Sequence, residues 1–322
     1  MGLIENFIEK AKRNKKRVVF PEGEEERLIE SAIKLEEDGI ARPILVGRRN
    51  IIKEKIEALK IPSDKIEIVD IENNPYIDEF ANVYSEKRKI KLSIAQRLIK
   101  RELIFGGMML LTDKVDLMIA GAANTTASVI QASSLTVGYK QDTSTPSSFF
   151  IMVLPDNKIY FYADCAVNID PTYEQLADIG ISTGENFECL IGEKAKVAFL
   201  SFSTKGSASH PLVEKVQKAV EIAKSKNRNF PIDGEFQADT AIVSVVAEKK
   251  LKGPSEVAGK ANVLIFPDLN SGNISYKLTQ YLAKAQALGP ILQGFAKPVS
   301  DLSRGAKVED IIKTTAILSC MC

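Results

Sequence analysis

An α/β fold in two domains is predicted by three features of this 322-residue chain. Short apolar runs alternate with amphipathic stretches from residue 17 to about residue 135. The connections between them are short, as in a parallel sheet covered by helices on both faces. Near residue 144 the rhythm changes to paired β-rich runs, and a chain of this length holds two cores more readily than one.

RVVF (17–20) reads as a buried strand, and PEGEEER turns the chain into a helix over 24–38. That helix places Leu28, Ile29, Ala32 and Leu35 on one stripe, with Gly39 where a C-terminal cap falls. PILVG (43–47) is the next strand, NIIKEKIEALK the next helix and KIEIVD (65–70) a third strand. DLMIAGA (116–122) followed by TTASVIQASSL repeats the step. SSFFIMVLPDNKIYFYADCAVN holds two β-rich runs joined by Pro155-Asp156-Asn157, a hairpin that marks a domain boundary near 145/146. A helix opens at Pro171-Thr172, then come a strand at 196–202, a helix from Pro211 and a strand at 262–266. SYKLTQYLAKAQAL is predicted helical, with Leu278, Tyr281, Leu282 and Ala285 on one stripe and Asn273 or Ser275 as cap. VEDIIKTTAIL closes the chain as a helix whose Val308, Ile311, Ile312 and Ala316 face the core.

A net charge of +1 recommends neither nucleic acid nor an anionic membrane as partner. No apolar run is long enough to span a bilayer, and the charged, interrupted start does not read as a signal peptide. The four cysteines lack the spacing of a disulfide framework, which fits a reducing cytoplasm. Cys320 and Cys322 read as a frayed tail rather than a metal site.

Three loops carry candidate chemistry. In DLSRGAKVED (301–310), Ser303 and Arg304 precede a helix N-terminus, where backbone N–H groups and the helix dipole favour anions. A guanidinium there can clamp phosphate oxygens. Asp310 is either a helix-start carboxylate paired with Arg304 or a base. With a single histidine in the chain, a base is sought among carboxylates, lysines, tyrosines or thiols, and Asp310, the most pointed candidate, would need burial to approach a thiol of pKa about 8.5. In FPDLNSGNISYK (266–277), Asn270, Gly272 and Asn273 lie in a loop after a strand, where α/β sheets bind ligands and where turn formers also collect. GAANTTAS (121–128) is a weak phosphate-loop candidate whose Thr125 and Thr126 either bind ligand or cap the helix. His210 reads as solvated, KAKRNKKR as the exposed face of a first helix, and Arg88 as a surface charge.

Several long segments in order resemble the phosphate acyltransferase family, most closely its acetyl-transferring members, over nearly the whole chain. They include VVFPEGEEER, FYADCAVNIDPTYEQLADI, PIDGEFQADTAI, VAGKANVLIFPDLNSGNISYK and GPILQGFAKPVSDLSRGAKVEDII. The resemblance implies two α/β/α domains of the isocitrate/isopropylmalate dehydrogenase type, residues 1–145 plus 291–322 and residues 146–290, with the active site in the cleft between them. It implies reversible acyl transfer between CoA and inorganic phosphate in a ternary complex. CoA, acyl phosphate and phosphate would be the partners, with no metal and no permanently bound cofactor. It assigns Asp310 as the base for the CoA thiol, Ser303 as a support for the sulfur or developing charge, and Arg304 as the phosphate clamp. Arg88 matches an arginine for the anionic substrate. Thr125, Thr126, Asn270, Gly272 and Asn273 are the further substrate-binding candidates. A cytoplasmic homodimer acting in acetate metabolism is implied likewise.

The chain departs from the family pattern at Asn124, where a histidine is usual, and at Gln131-Ala132, where an Arg-Pro pair is usual. A paralogue selective for propionyl or butyryl groups and a non-catalytic acyl-CoA-sensing domain are therefore carried as alternatives. A dehydrogenase of the same fold is disfavoured by the absence of a dinucleotide fingerprint.

Overall fold

The computed structural model describes residues 2–59, 66–226 and 228–321. Its contacts separate into two compact units, Met1–Lys140 with Phe295–Met321, and Gln141–Gly294.

The first unit is built in the order α1 (Leu3–Arg13), β1 (Lys16–Phe20), α2 (Glu26–Glu37), β2 (Ala41–Gly47), α3 (Arg49–Ala58), β3 (Glu67–Asp70), α4 (Tyr76–Arg88), α5 (Leu92–Ile99), α6 (Glu102–Leu111), β4 (Leu117–Ala120) and α7 (Thr126–Thr136). The end of the KIEIVD strand nearest Lys65 lies outside the described residues, as do Lys60 of the preceding helix and Cys322. The second unit carries β5 (Ser147–Val153), β6 (Ile159–Ala163), α8 (Tyr173–Ile191), β7 (Val197–Leu200), α9 (Pro211–Ser225), β8 (Ile232–Phe236), α10 (Ala238–Ile242), α11 (Ser244–Lys250), β9 (Val263–Ile265), α12 (Leu269–Leu282) and β10 (Gln286–Gln293). The chain then returns to the first unit as β11 (Val299–Asp301) and α13 (Val308–Ser319).

In the first unit the strand order is β11-β4-β1-β2-β3, and every pairing is parallel. Consecutive residues of β1 and β4 are buried, as a sheet covered on both faces requires. Helices α1, α2 and α13 pack together, and α4 to α7 form a second group. Leu28, Ile29, Ala32 and Leu35 are buried, as their spacing predicts. The α6 segment ELIFGGMMLL was not anticipated, because it is apolar on all sides and shows no helical period. Its Gly106 and Gly107 allow close packing: a Cβ on Gly106 would lie 2.5 Å from Pro21, and one on Gly107 2.2 Å from Thr136.

The second unit has strand order β10-β5-β6-β9-β7-β8. The predicted hairpin is present: β5 and β6 pair antiparallel, with Asn157 in the left-handed region of its turn. Thr172 caps α8 in a reciprocal box with Gln175. The segment ending in AKAQAL was expected to continue as helix to residue 288. Instead α12 stops at Leu282 and the chain turns into β10, which pairs antiparallel with β5. That pairing places residues through 293 in the second unit. The expected core stripe of α12 is also corrected. Leu278, Tyr281 and Leu282 are 52%, 76% and 78% exposed, and only Ala285, beyond the helix, is buried.

Cys165 is buried with a free thiol, and Cys320 donates to the Phe7 carbonyl. Cys189 is disulfide-bonded, contrary to the expectation of reduced thiols. No helix among the described residues is long and apolar enough to cross a membrane.

Candidate active site

The first unit brings three strand-end loops together: Pro21–Glu25 after β1, Gly121–Thr125 after β4 and Leu302–Lys307 after β11. Gly121, at φ +99°, turns the chain so that four successive backbone N–H groups converge. They converge on Glu22, which is 3% exposed. Its Oε2 accepts from the amides of Gly121 and Ala122, both at 2.8 Å. Its Oε1 accepts from the amides of Ala123 and Asn124 at 3.1 and 2.6 Å, and from Asn124 Nδ2 at 2.8 Å. A chain of convergent amides is an anion-binding nest, and here the protein's own carboxylate fills it. The phosphate-loop reading of GAANTTAS is therefore corrected, since these donors are already engaged. Asn124 is part of the Glu22 cradle through both its amide and its side chain.

Arg27 ties the other loops to this one. Its Nη1 donates to the carbonyls of Arg304 (2.7 Å) and Ala306 (3.0 Å), and its Nη2 to that of Ala122 (3.1 Å). Glu25 holds the guanidinium through Nε at 2.7 Å. The sequence reading gives Glu22 and Arg27 no role beyond the turn of PEGEEER into the next helix. Their position directly after a buried strand, at the end where α/β sheets place ligands, was the signal available.

A second link joins the same loops. Thr126, the first residue of α7, donates through Oγ1 to Asp301 Oδ2 at 2.5 Å. Asp301 is 4% exposed, and its Oδ1 has no hydrogen-bond partner among the described residues. Burial, reinforced by repulsion from Glu22 and opposed by the Thr126 hydrogen bond, pushes its carboxyl up to about 6. Thr125 caps α7, accepting from the Ser128 amide at 3.2 Å, which is the structural alternative for that residue.

Ser303 and Arg304 are both exposed on the loop before α13. Ser303 Oγ accepts the Gly305 amide at 3.3 Å, and its carbonyl accepts that of Ala306 at 2.8 Å. Among the described residues no carboxylate pairs with the Arg304 guanidinium, so the expected Arg304–Asp310 pair is not formed. Asp310 sits in the first turn of α13 and accepts the Lys307 amide at 3.1 Å. It is exposed within this unit, so the burial sought for it is found instead at Asp301.

Arg88 is exposed in the last turn of α4, where its charge acts on Tyr84. Tyr84 in turn lines a cavity of about 480 Å3 with Arg101, Glu102, Asn124, Ser128 and Gln131. Burial raises the Glu102 carboxyl there, with Glu24 and Glu22 adding repulsion. Gln131 also lines this cavity.

Asn270, Gly272 and Asn273 belong to the second unit. They lie in the first turns of α12 rather than in a loop, because Asp268 caps the helix through the Ser271 amide. A Cβ on Gly272 would meet the Asp164 carbonyl at 2.1 Å, and Asn273 Nδ2 donates to the Cys165 carbonyl at 3.1 Å. Both residues thus seat α12 against the end of β6. No cluster of histidine, cysteine or acidic side chains suited to a metal ion occurs among the described residues.

This arrangement, in which an exposed arginine is presented beside shielded carboxylates at the ends of parallel strands, agrees with the comparison of the sequence with known families. Residues 2–319 match the family described as phosphate acetyl/butaryl transferase. The chain belongs to that family. It is 45% identical to a phosphate acetyltransferase of Acetivibrio thermocellus, over 98% of this chain and 97% of that protein. A phosphotransacetylase structure from Streptococcus pyogenes superposes with a TM-score of 0.94 at 37% identity, over 99% of this chain and 97% of the other. The EutD phosphotransacetylase structure from Staphylococcus aureus gives 0.92 at 35% identity, with the same coverage.

Proposed function

We propose that this chain is a phosphate acetyltransferase, moving an acetyl group reversibly between CoA and inorganic phosphate by direct thiolate attack in a ternary complex. The observation that carries the reading is the Arg304 guanidinium, exposed without a carboxylate partner among the described residues, on a loop that Arg27 holds at two carbonyls. A guanidinium free of a carboxylate, on a loop whose backbone is held, is suited to bidentate recognition of phosphate oxygens.

In this reading Asp310 takes the CoA thiol proton as sulfur attacks the acyl carbonyl. Ser303 donates to the developing charge, and Arg304 holds the phosphate as the acyl–oxygen bond breaks. Preorganised donors of this kind are the largest usual contribution to lowering such a barrier. Arg88 and the cavity lined by Gln131 serve the anionic parts of CoA. Thr125, Thr126, Asn270, Gly272 and Asn273 are carried as substrate contacts. The isocitrate/isopropylmalate dehydrogenase-like assignment of the two units, a cytoplasmic role in acetate metabolism and a homodimer complete the proposal. Support for the homodimer comes from α12, whose Ile274, Leu278, Tyr281 and Leu282 leave more apolar surface exposed than a solvated helix face needs.

The test is turnover of acetyl-, propionyl- and butyryl-CoA with phosphate, in the native protein and in Asp310→Asn. Acetyl-CoA is expected to be the best substrate. Asp310→Asn is expected to lose about 100-fold or more in kcat with the fold intact. CoA binding without turnover of any of the three would favour the acyl-CoA sensor, and preference for a longer acyl group would favour the paralogue.

A further inference from the structure

The Asp301–Thr126 contact has an unusual hydrogen-bond inventory. Asp301 is 4% exposed, and one of its oxygens receives a single bond, from Thr126 at 2.5 Å. The other oxygen receives none and lies against the Gly121 backbone, where an added Cβ would approach it to 2.1 Å. A hydroxyl has one hydrogen and two acceptor sites, whereas an ionised carboxylate only accepts. While Asp301 is ionised, the Thr126 hydrogen must therefore point inward, and Thr126 shows only lone pairs to its half-exposed side. Once Asp301 holds a proton, it donates to Thr126, and the Thr126 hydrogen is released outward.

We propose that Asp301 is a positioning residue that sets the hydrogen-bonding sense of Thr126, making Thr126 a donor to the anionic substrate only when Asp301 is protonated. The inference rests on the phosphate acyl transfer proposed above, because it takes the anion to be phosphate or acyl phosphate at these loops. Arg27 supports that placement, since it holds the Arg304 loop and the Ala122 loop with one guanidinium.

The charged surroundings favour proton uptake at Asp301 in the range where enzymes work. Glu22, on the loop after β1, is the charged neighbour that acts on it, and burial and Glu22 together lift its carboxyl to about 6. Arg27 of α2 is spent on carbonyl oxygens and on Glu25. Arg304, Lys307, Glu309 and Asp310, around the start of α13, make no bond to Asp301 or Thr126. The one histidine, His210, belongs to the other unit.

The probe is sulfate, which keeps the same charge between pH 5.5 and 7.5 and so isolates the protein's titration. Its dissociation constant, measured by calorimetry and as competition against phosphate, is expected to rise about tenfold over that range in the native protein, the worth of one hydrogen bond to a charged group. Asp301→Asn and Thr126→Val are expected to abolish that rise, and Thr126→Ser to keep it. A rise of the same size in Asp301→Asn or Thr126→Val, or no rise in the native protein, overturns the proposal. If Asp301→Asn fails to fold, the Thr126 pair decides alone. Calorimetry reads binding without turnover, so an enzyme that turns over yet binds sulfate without pH dependence defeats this inference and leaves the proposed function standing. A protein without turnover defeats the function itself.

Discussion

Replacing Asp301 by asparagine is expected to stabilise the protein, and by more at pH 7.5 than at pH 4.5. Burial first, and the Glu22 charge after it, move the Asp301 carboxyl from 3.8 to about 6 in the folded chain. Below pH 4 the group is protonated whether folded or not, and it costs nothing. Between pH 4 and 6 the unfolded chain releases the proton that the folded chain retains, so stability falls as pH rises. Above pH 6 the whole penalty is present. A shift of about two units at 1.36 kcal/mol each is roughly 3 kcal/mol, of which about 2 kcal/mol develops between pH 4.5 and 7.5. Asparagine cannot ionise and still offers Thr126 an acceptor. The melting temperature of the variant should therefore exceed that of the native protein by about 4–8 °C more at pH 7.5 than at pH 4.5, on the scale for units of 150–250 residues. Melts at the two pH values, native against variant, cancel the titration of every other carboxylate. A gap that stays constant with pH would refute the reasoning, since Asp301 would then not be the strained charge that its missing partner implies.

Glu22→Gln keeps one acceptor oxygen but turns an NH2 group toward amides that themselves donate. Losing two of the charge-assisted bonds is expected to cost about 3–6 kcal/mol, read as a lower urea midpoint, and a loss below 1 kcal/mol would mean the nest contributes little. Gln131→Arg places a cation in the cavity beside Ser128 and Asn124 and is expected to tighten CoA binding about tenfold. Unchanged affinity in a direct titration would remove that cavity from the anion site.

What could be read from the residues divides along a physical line. Elements whose identity is local were legible. The stripe of Leu28, Ile29, Ala32 and Leu35 and the Pro155-Asp156-Asn157 turn needed nothing from elsewhere in the chain. Elements decided by distant partners were not. AKAQAL is made of good helix formers, and β10 becomes a strand only because β5 is beside it. Helix α6 has no polar face to reveal its period. The same line runs through the site. The spacing of Ser303, Arg304 and Asp310 was visible, yet their exposure was not, because burial is set by what packs against a residue. Glu22 is shielded by amides about a hundred positions away, and nothing in PEGEEER distinguishes it from the acidic residues that follow.

Among the described residues four buried acidic side chains stand at or near the carboxyl ends of strands, and comparing them separates structural roles from functional ones. Glu22 receives five donors. Asp164, 2% exposed after β6, receives the amides of Ser148, Ala166, Val167 and Asn168 and the side chains of Ser148 and Asn168. Glu235, 2% exposed near the end of β8, receives Ser203, the Gly206 amide and Gln217. Each of these three carries its negative charge into the interior together with the donors that stabilise it, so each rigidifies a loop. Asp301 is buried to the same degree with one donor and one empty oxygen. A fold that supplies complete cradles at three positions does not lack the means to supply a fourth. An acid left half-satisfied beside Thr126, at the end of the strand that leads to Ser303 and Arg304, is where the proposed function gives a change of proton a consequence for the anionic substrate.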